Sequence, residues 1–92
     1  MNVLVAEERY DREYIDRYGF GFDAFKAGVA PYTPEWSYPL TSIDPTTIRA
    51  TAREMARHRP ATLVHPGRHA TWYSDDTQRS RAIALLNALL RS

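Results

Sequence analysis

Between residues 65 and 78 the chain gathers most of the side chains that can do chemistry. They are His65, Arg68, His69, Thr71, Trp72, Tyr73, Ser74, Asp75, Asp76, Thr77 and Gln78. Arginine can grip an oxyanion with two parallel hydrogen bonds. Histidine can donate to such a group or relay a proton. Trp and Tyr offer apolar faces with an N–H or O–H at the edge. The flanking pattern decides how these groups are presented. Thr62-Leu63-Val64 is a short apolar run, and from Thr77 onward apolar residues recur at helical spacing. A strand end, a polar loop and a helix N-terminus in that order make a common cradle for phosphate-bearing ligands. The free N–H groups of the first turn and the positive end of the helix dipole both face the loop. Residues 67–78 are therefore the candidate site.

Other chemistry fits less well. His65 and His69 have the spacing of a zinc pair on a helix, but Pro66-Gly67 interrupts any helix there and no third ligand is evident. Ser74, His69 and Asp75 are the residue types of a hydrolytic triad without the sharp nucleophile turn. Neither common phosphate-binding glycine pattern is present. The absence of Cys excludes disulfides, thiolate metal sites and a Cys nucleophile.

Charge is divided along the chain. Residues 1–46 carry three Arg and one Lys against eight acids, whereas residues 47–92 carry eight Arg against three acids. The basic half holds the candidate loop, so its field suits an anionic ligand or simply a solvated surface. The overall charge of +1 is too small to favour nucleic-acid binding. No apolar run approaches the ~20 residues of a membrane span, and the N-terminus lacks the basic-then-apolar order of a signal peptide.

The elements that must position the loop read as follows. Asn2–Ala6 is a short helix or, with its β-branched residues, a strand. Asp11 caps a helix from Arg12 to Tyr18, and Gly19 to Phe22 stop it, with glycine supplying a positive φ at the cap. Asp23–Val29 forms another short helix. Thr33-Pro34-Glu35 and Asp44-Pro45 are helix starts. Pro39 should end the first of these within a turn, with Trp36 and Leu40 packed inward. The second runs from Pro45 to His58, with Ile48, Ala52 and Met55 on one face. Arg49, Arg53 and Arg57 line another face, as solvated charge or, alternatively, as a phosphate reader. Residues 61–65 are the best strand candidate. Asp75 or Asp76 caps the last helix, Thr77 to about Arg91. Its apolar residues cover so much of its circumference that it needs neighbours on several sides, and Asn87 among them needs a hydrogen-bond partner. The expected fold class is helix-rich α/β, with short helices, one or two short strands and a long C-terminal helix. A turn-rich helical segment (1–43) precedes a helix–strand–loop–helix unit (44–92). A lone strand cannot satisfy its own backbone, so the chain is expected to self-associate through the C-terminal helix or to be a piece of a larger α/β domain.

The run from Gly67 to Leu90, with its Gly-Arg, Thr-Trp-Tyr, Asp-Thr-Gln and Arg-Ala-Ile-x-x-Leu-Asn-Ala-Leu-Leu blocks, resembles a segment of the molybdopterin oxidoreductases of the dimethyl sulfoxide reductase family. It looks most like the polysulfide, thiosulfate, tetrathionate and arsenate reductase branch. Tyr10 to Ile15, Gly21 to Phe25, Tyr32 to Trp36 and Pro45 to Arg49 fit the same family in the same order. The resemblance implies an internal fragment of a catalytic subunit that holds molybdenum or tungsten with two molybdopterin guanine dinucleotides and acts on a sulfur or oxyanion substrate. It implies catalytic roles for Arg68, His69 and Tyr73, and cofactor contacts for Trp72, Asp76, Thr77 and Gln78. The remainder of the catalytic subunit would be the partner, and such parents are often periplasmic. With no Cys to ligate the metal, the chain alone is expected to be inactive and to bind no cofactor. The other reading is a free-standing, non-catalytic α/β interaction module.

Overall fold

A computed structural model describes residues 1–92. It contains α1 (Asn2–Ala6), α2 (Arg12–Tyr18), α3 (Phe22–Val29), α4 (Pro34–Thr41), α5 (Pro45–Arg57), a 3-10 turn (Arg68–Thr71) and α6 (Asp76–Leu90). The chain is helix-rich as expected, but it contains no strand. The α/β expectation is corrected on that point, and Asn2–Ala6 takes its helical alternative.

Three helix starts follow from local chemistry. Asp11 accepts from the Tyr14 N–H at 2.9 Å, Thr33 from the Trp36 N–H at 3.1 Å and Asp44 from the Thr46 N–H at 2.8 Å. Pro34 and Pro45 occupy the first helical position, where the missing N–H costs nothing. Helix α1 has only five residues and would not hold alone. Its Val3, Leu4 and Val5 are all buried. They join Tyr10, Ile15, Ala56, Leu89 and Leu90 in the interior, where Leu4 and Leu90 are wholly enclosed. The Asp11 N–H donates to the Leu89 carbonyl at 2.8 Å, tying the start of α2 to the end of α6.

Several local expectations are corrected. Pro39 does not stop α4, which continues to Thr41. Two hydroxyls bond back within the helix, Ser37 to the Pro34 carbonyl and Thr41 to the Ser37 carbonyl. The helix ends instead at Ser42, which takes the left-handed conformation. Trp36 and Leu40 point outward, Leu40 with 71% of its surface exposed. Gly19 is extended, and the positive φ falls at Gly21. Glycine is needed at 19 for space, because a Cβ there would lie 2.5 Å from the Ile15 carbonyl oxygen.

The largest correction concerns residues 61–65. They form no strand, and Leu63 is 70% exposed. In place of a neighbouring strand, the side chain of Asn87 on α6 pairs with Val64. The Val64 N–H donates to Asn87 Oδ1 and Asn87 Nδ2 donates to the Val64 carbonyl, both at 2.9 Å. One residue can offer its N–H and C=O to the same side only when extended, so this pairing copies one rung of a β-ladder. Asn87 thus finds the partner its surroundings demanded.

The divided charge is partly offset within the fold. Arg53 binds Glu7 in a fork at 2.7 and 3.0 Å, and Arg49 binds both oxygens of Glu35. Arg57 pairs with Glu54 one turn away. The arginine stripe of α5 therefore faces carboxylates, which removes the basis for a phosphate-reading role. The hydrogen bonds from Arg53 and then Arg9 lower the Glu7 pKa to about 2. Hydrogen bonds from Arg49 lower that of Glu35, and hydrogen bonds from Arg57 and His58 lower that of Glu54.

Two outcomes are expected. Asn87→Ala leaves the partly buried Val64 groups unpaired and lowers unfolding stability by about 2 kcal/mol, read as a lower urea midpoint at unchanged slope. Glu7 has a depressed folded pKa, so its contribution is complete above its ordinary value of 4.5 and is withdrawn as pH falls towards 2. The melting temperature of Glu7→Gln should accordingly vary less with pH across that window than that of the parent chain.

Candidate functional site

The loop begins at a position only glycine fills easily. Gly67 has φ +69° and ψ 173°. Its N–H donates to His65 Nδ1 at 3.0 Å. The 3-10 turn Arg68–Thr71 follows, closed by the Thr71 hydroxyl on the Arg68 carbonyl at 3.1 Å and the Trp72 N–H on the His69 carbonyl at 3.3 Å. Ala70 is the anchor: it is buried, while its neighbours on both sides are exposed.

The backbone thereby sends three side chains to one exposed place. The ring centroids of His69 and Trp72 are 4.2 Å apart, inclined at 58°. The Arg68 guanidinium carbon stands 5.4 Å from the Trp72 ring centroid. A cation, an imidazole and an indole thus share one stack, with Trp72 55% exposed. Tyr73, 64% exposed, lies apart from the stack and faces Arg79, whose guanidinium carbon is 5.9 Å from its ring centroid. Of the three proposed catalytic side chains, Arg68 and His69 meet through Trp72, and Tyr73 does not join them.

The first turn of α6 brings Asp76, Thr77 and Gln78 to the same end of the molecule. Asp75 takes the left-handed conformation at φ +59°, and its side chain makes no capping bond. The expected aspartate cap is therefore absent. The only polar side-chain contact within the turn is a long one, Thr77 Oγ1 to Asp76 Oδ1 at 3.4 Å. No side chain or carbonyl of the chain accepts from the Asp76, Thr77 and Gln78 N–H groups. They lie at the positive end of a fifteen-residue helix.

One residue of this region is not evident in the sequence pattern. Arg79 donates from its two terminal nitrogens to the carbonyls of Ala70 and Ser74, each at 2.9 Å. Its position in the fourth place of an amphipathic helix reads as ordinary surface. The one available signal is electrostatic, since a cation in the first turns opposes the helix dipole.

The loop lines none of the principal hollows. The principal hollows lie elsewhere, such as the apolar groove of about 520 Å³ lined by Ile15, Phe20, Phe22, Phe25, Leu85 and Leu89. No group of three His, Asp or Glu side chains is placed to hold a metal ion, and there is no Cys. No helix is long and apolar enough to cross a membrane.

With this geometry in view, similarity to known proteins becomes informative. No family model matches the chain. It is 33% identical to the thiosulfate reductase molybdopterin-containing subunit of Salmonella typhimurium, over 97% of this chain and 12% of the relative. It is 33% identical to a probable dimethyl sulfoxide reductase chain of Escherichia coli, over 95% of this chain and 13% of that one. It is 41% identical to the arsenate respiratory reductase molybdopterin-containing subunit of a Shewanella species, over 63% of this chain and 7% of that one. The chain thus spans about an eighth of the length of the first two.

Proposed function

Since the chain belongs to the molybdopterin-containing oxidoreductases of the dimethyl sulfoxide reductase family, we propose that it works as one segment of such a catalytic subunit. Residues 67–78 form part of the wall between cofactor and substrate. The observation that carries this reading is the exposed Arg68–Trp72–His69 stack beside three unpartnered amides at the start of α6. Aromatic and cationic groups held outside the core, next to a helix N-terminus, suit an anionic aromatic ligand.

The residues present fit some parts of a bis-molybdopterin guanine dinucleotide cofactor. The amides of Asp76, Thr77 and Gln78, with the Thr77 hydroxyl and the Gln78 carboxamide, provide donors for its pyrophosphate oxygens. Trp72 provides a flat face for one of its ring systems. None of the side chains provides a thiolate ligand for the metal. When bound, the molybdenum centre supplies two-electron oxygen- or sulfur-atom transfer. The chain's own contribution is to bind and orient. Arg68 holds a sulfur-containing or other oxyanion through its fork. His69, stacked and exposed, holds or passes a proton at its ring nitrogens. Tyr73 offers its hydroxyl at the rim.

The remainder of the subunit is the partner. The exposed Phe20, Trp36, Tyr38, Leu40 and Ile43, together with the apolar groove, support such contact. The 92-residue chain by itself is expected to associate with itself through these surfaces. Sedimentation should show the weight-average mass rising with concentration, and a clean monomer throughout would count against it.

The site is tested in a full-length subunit carrying this segment. Arg68→Ala should lower turnover on the order of a hundredfold, as when one donor to a developing anion is lost. Arg53→Ala, which removes only the distant pair with Glu7, should leave turnover near its starting value. Equal effects of the two substitutions would refute the assignment of the loop.

A further inference from the structure

We propose that Arg79 is a positioning residue whose guanidinium, bonded to the carbonyls of Ala70 and Ser74, clamps the loop across the start of α6 and presets the Arg68–His69–Trp72 stack. The two carbonyls lie on either side of Trp72 and Tyr73, so one planar group spans the segment that carries both aromatic side chains. The same guanidinium lies against the Tyr73 ring, which adds a third point of attachment. Hydrogen bonds from a charged fork to two carbonyls are stronger than neutral ones and fix direction as well as distance.

The position of the charge argues for such a role. A cation in the first turns of a helix meets the positive end of the dipole and is unfavourable there. Asp75 and Asp76 are close in sequence, yet neither forms an ion pair with Arg79, which bonds to backbone oxygens instead. A group that breaks the local rule for helices while satisfying loop carbonyls serves the loop. The loop has few other restraints. Gly67 sets its entry and the 3-10 turn its first half, but between Trp72 and Asp75 no other side chain bonds to its backbone. Order in that half depends on Arg79.

This inference rests on the reading of residues 67–78 as a ligand-facing wall, because a preset loop matters only where something is bound. The test separates the two. In the 92-residue chain, Arg79→Ala, Arg79→Lys and, as an equal charge change on the same helix, Arg81→Ala are compared by nuclear magnetic resonance. With Arg79→Ala, exchange of the Trp72 amide should quicken about tenfold, as for loss of charge-assisted hydrogen bonds. The His69 ring protons should lose the shift imposed by the Trp72 ring, while amide shifts of residues 82–90 stay in place. Arg81→Ala should change neither. Arg79→Lys keeps the charge without the fork and should recover less than half of the difference. An unchanged loop in Arg79→Ala, loss of α6 together with the loop, or full recovery by Lys would each overturn the clamp. In a full-length subunit carrying this segment, turnover should then fall at least threefold more with Arg79→Ala than with Arg81→Ala. If turnover is equal in the two while the loop measurements behave as expected, the ligand reading fails and the clamp stands.

Discussion

The loop starts where it does because a side-chain amide occupies the place of a β-strand. Asn87 gives Val64 both bonds that a neighbouring strand would give, and so fixes an extended segment along α6. That segment has little else to hold it. Leu63 faces solvent, and the further ties nearby are the Thr62 hydroxyl on the Met55 carbonyl at 3.0 Å and the Ala61 N–H on the His58 carbonyl at 2.8 Å. Everything downstream inherits the position of Val64: the turn at Gly67, the 3-10 turn, and the meeting of Arg68, His69 and Trp72. Two neutral hydrogen bonds are a modest energy, but the alternative is a pair of poorly solvated backbone groups, and that asymmetry makes the contact decisive.

The apolar interior is small for the length of the chain. Ten of 92 residues are buried, and many large apolar side chains remain outside. Short helices make this unavoidable. The short helices supply few inward positions, three from α1, one each from α2 and α4 and none from α3, and leave Phe20, Trp36, Tyr38 and Leu40 uncovered. On the proposed reading, this exposed apolar surface is what the rest of the subunit would cover. Ion pairs such as Arg53–Glu7 and Arg49–Glu35 join helices across the surface, but exposed pairs add little stability and chiefly fix which faces meet.

Helix starts were the most legible part of the sequence, because a cap is decided by three or four adjacent residues. Asp11, Thr33 and Asp44 were assigned from the residues alone and act as assigned. What failed depends on distant partners. The strand at 61–65 was read from apolar, β-favouring residues, but that preference describes fit to a pleated surface which the chain itself does not contain. Pro39 reads as a stop, yet the helix runs two residues past it and ends at the left-handed Ser42. Trp36 and Leu40 were placed inside on hydrophobicity alone, which says what a side chain prefers and not whether the core has room. The candidate loop was found from its residue types and its place before a helix. The stacking of Arg68, His69 and Trp72 was not legible, because it follows from the 3-10 turn. Asp75 or Asp76 reads as a cap; Asp75 occupies the N-cap position in the left-handed conformation, and neither side chain makes the capping bond.

A division of labour follows from how the loop is held. Its backbone is fixed by residues that take no part in the exposed stack: Asn87 at the entry, Gly67 at the turn and Arg79 across the second half. Its exposed side chains bond mainly to one another through ring faces. Weak lateral contacts of this kind leave the polar edges of Arg68, His69 and Trp72 unspent. A ligand meeting them would pay little to order the backbone, since that entropy is already lost in folding. It would also find donors not committed elsewhere, both in the side chains and in the first amides of α6. Had Asp75 capped the helix in the usual way, one of those amides would have been occupied. The left-handed conformation at Asp75 thus has a consequence beyond geometry: it keeps the positive end of α6 open on the side where the loop stands.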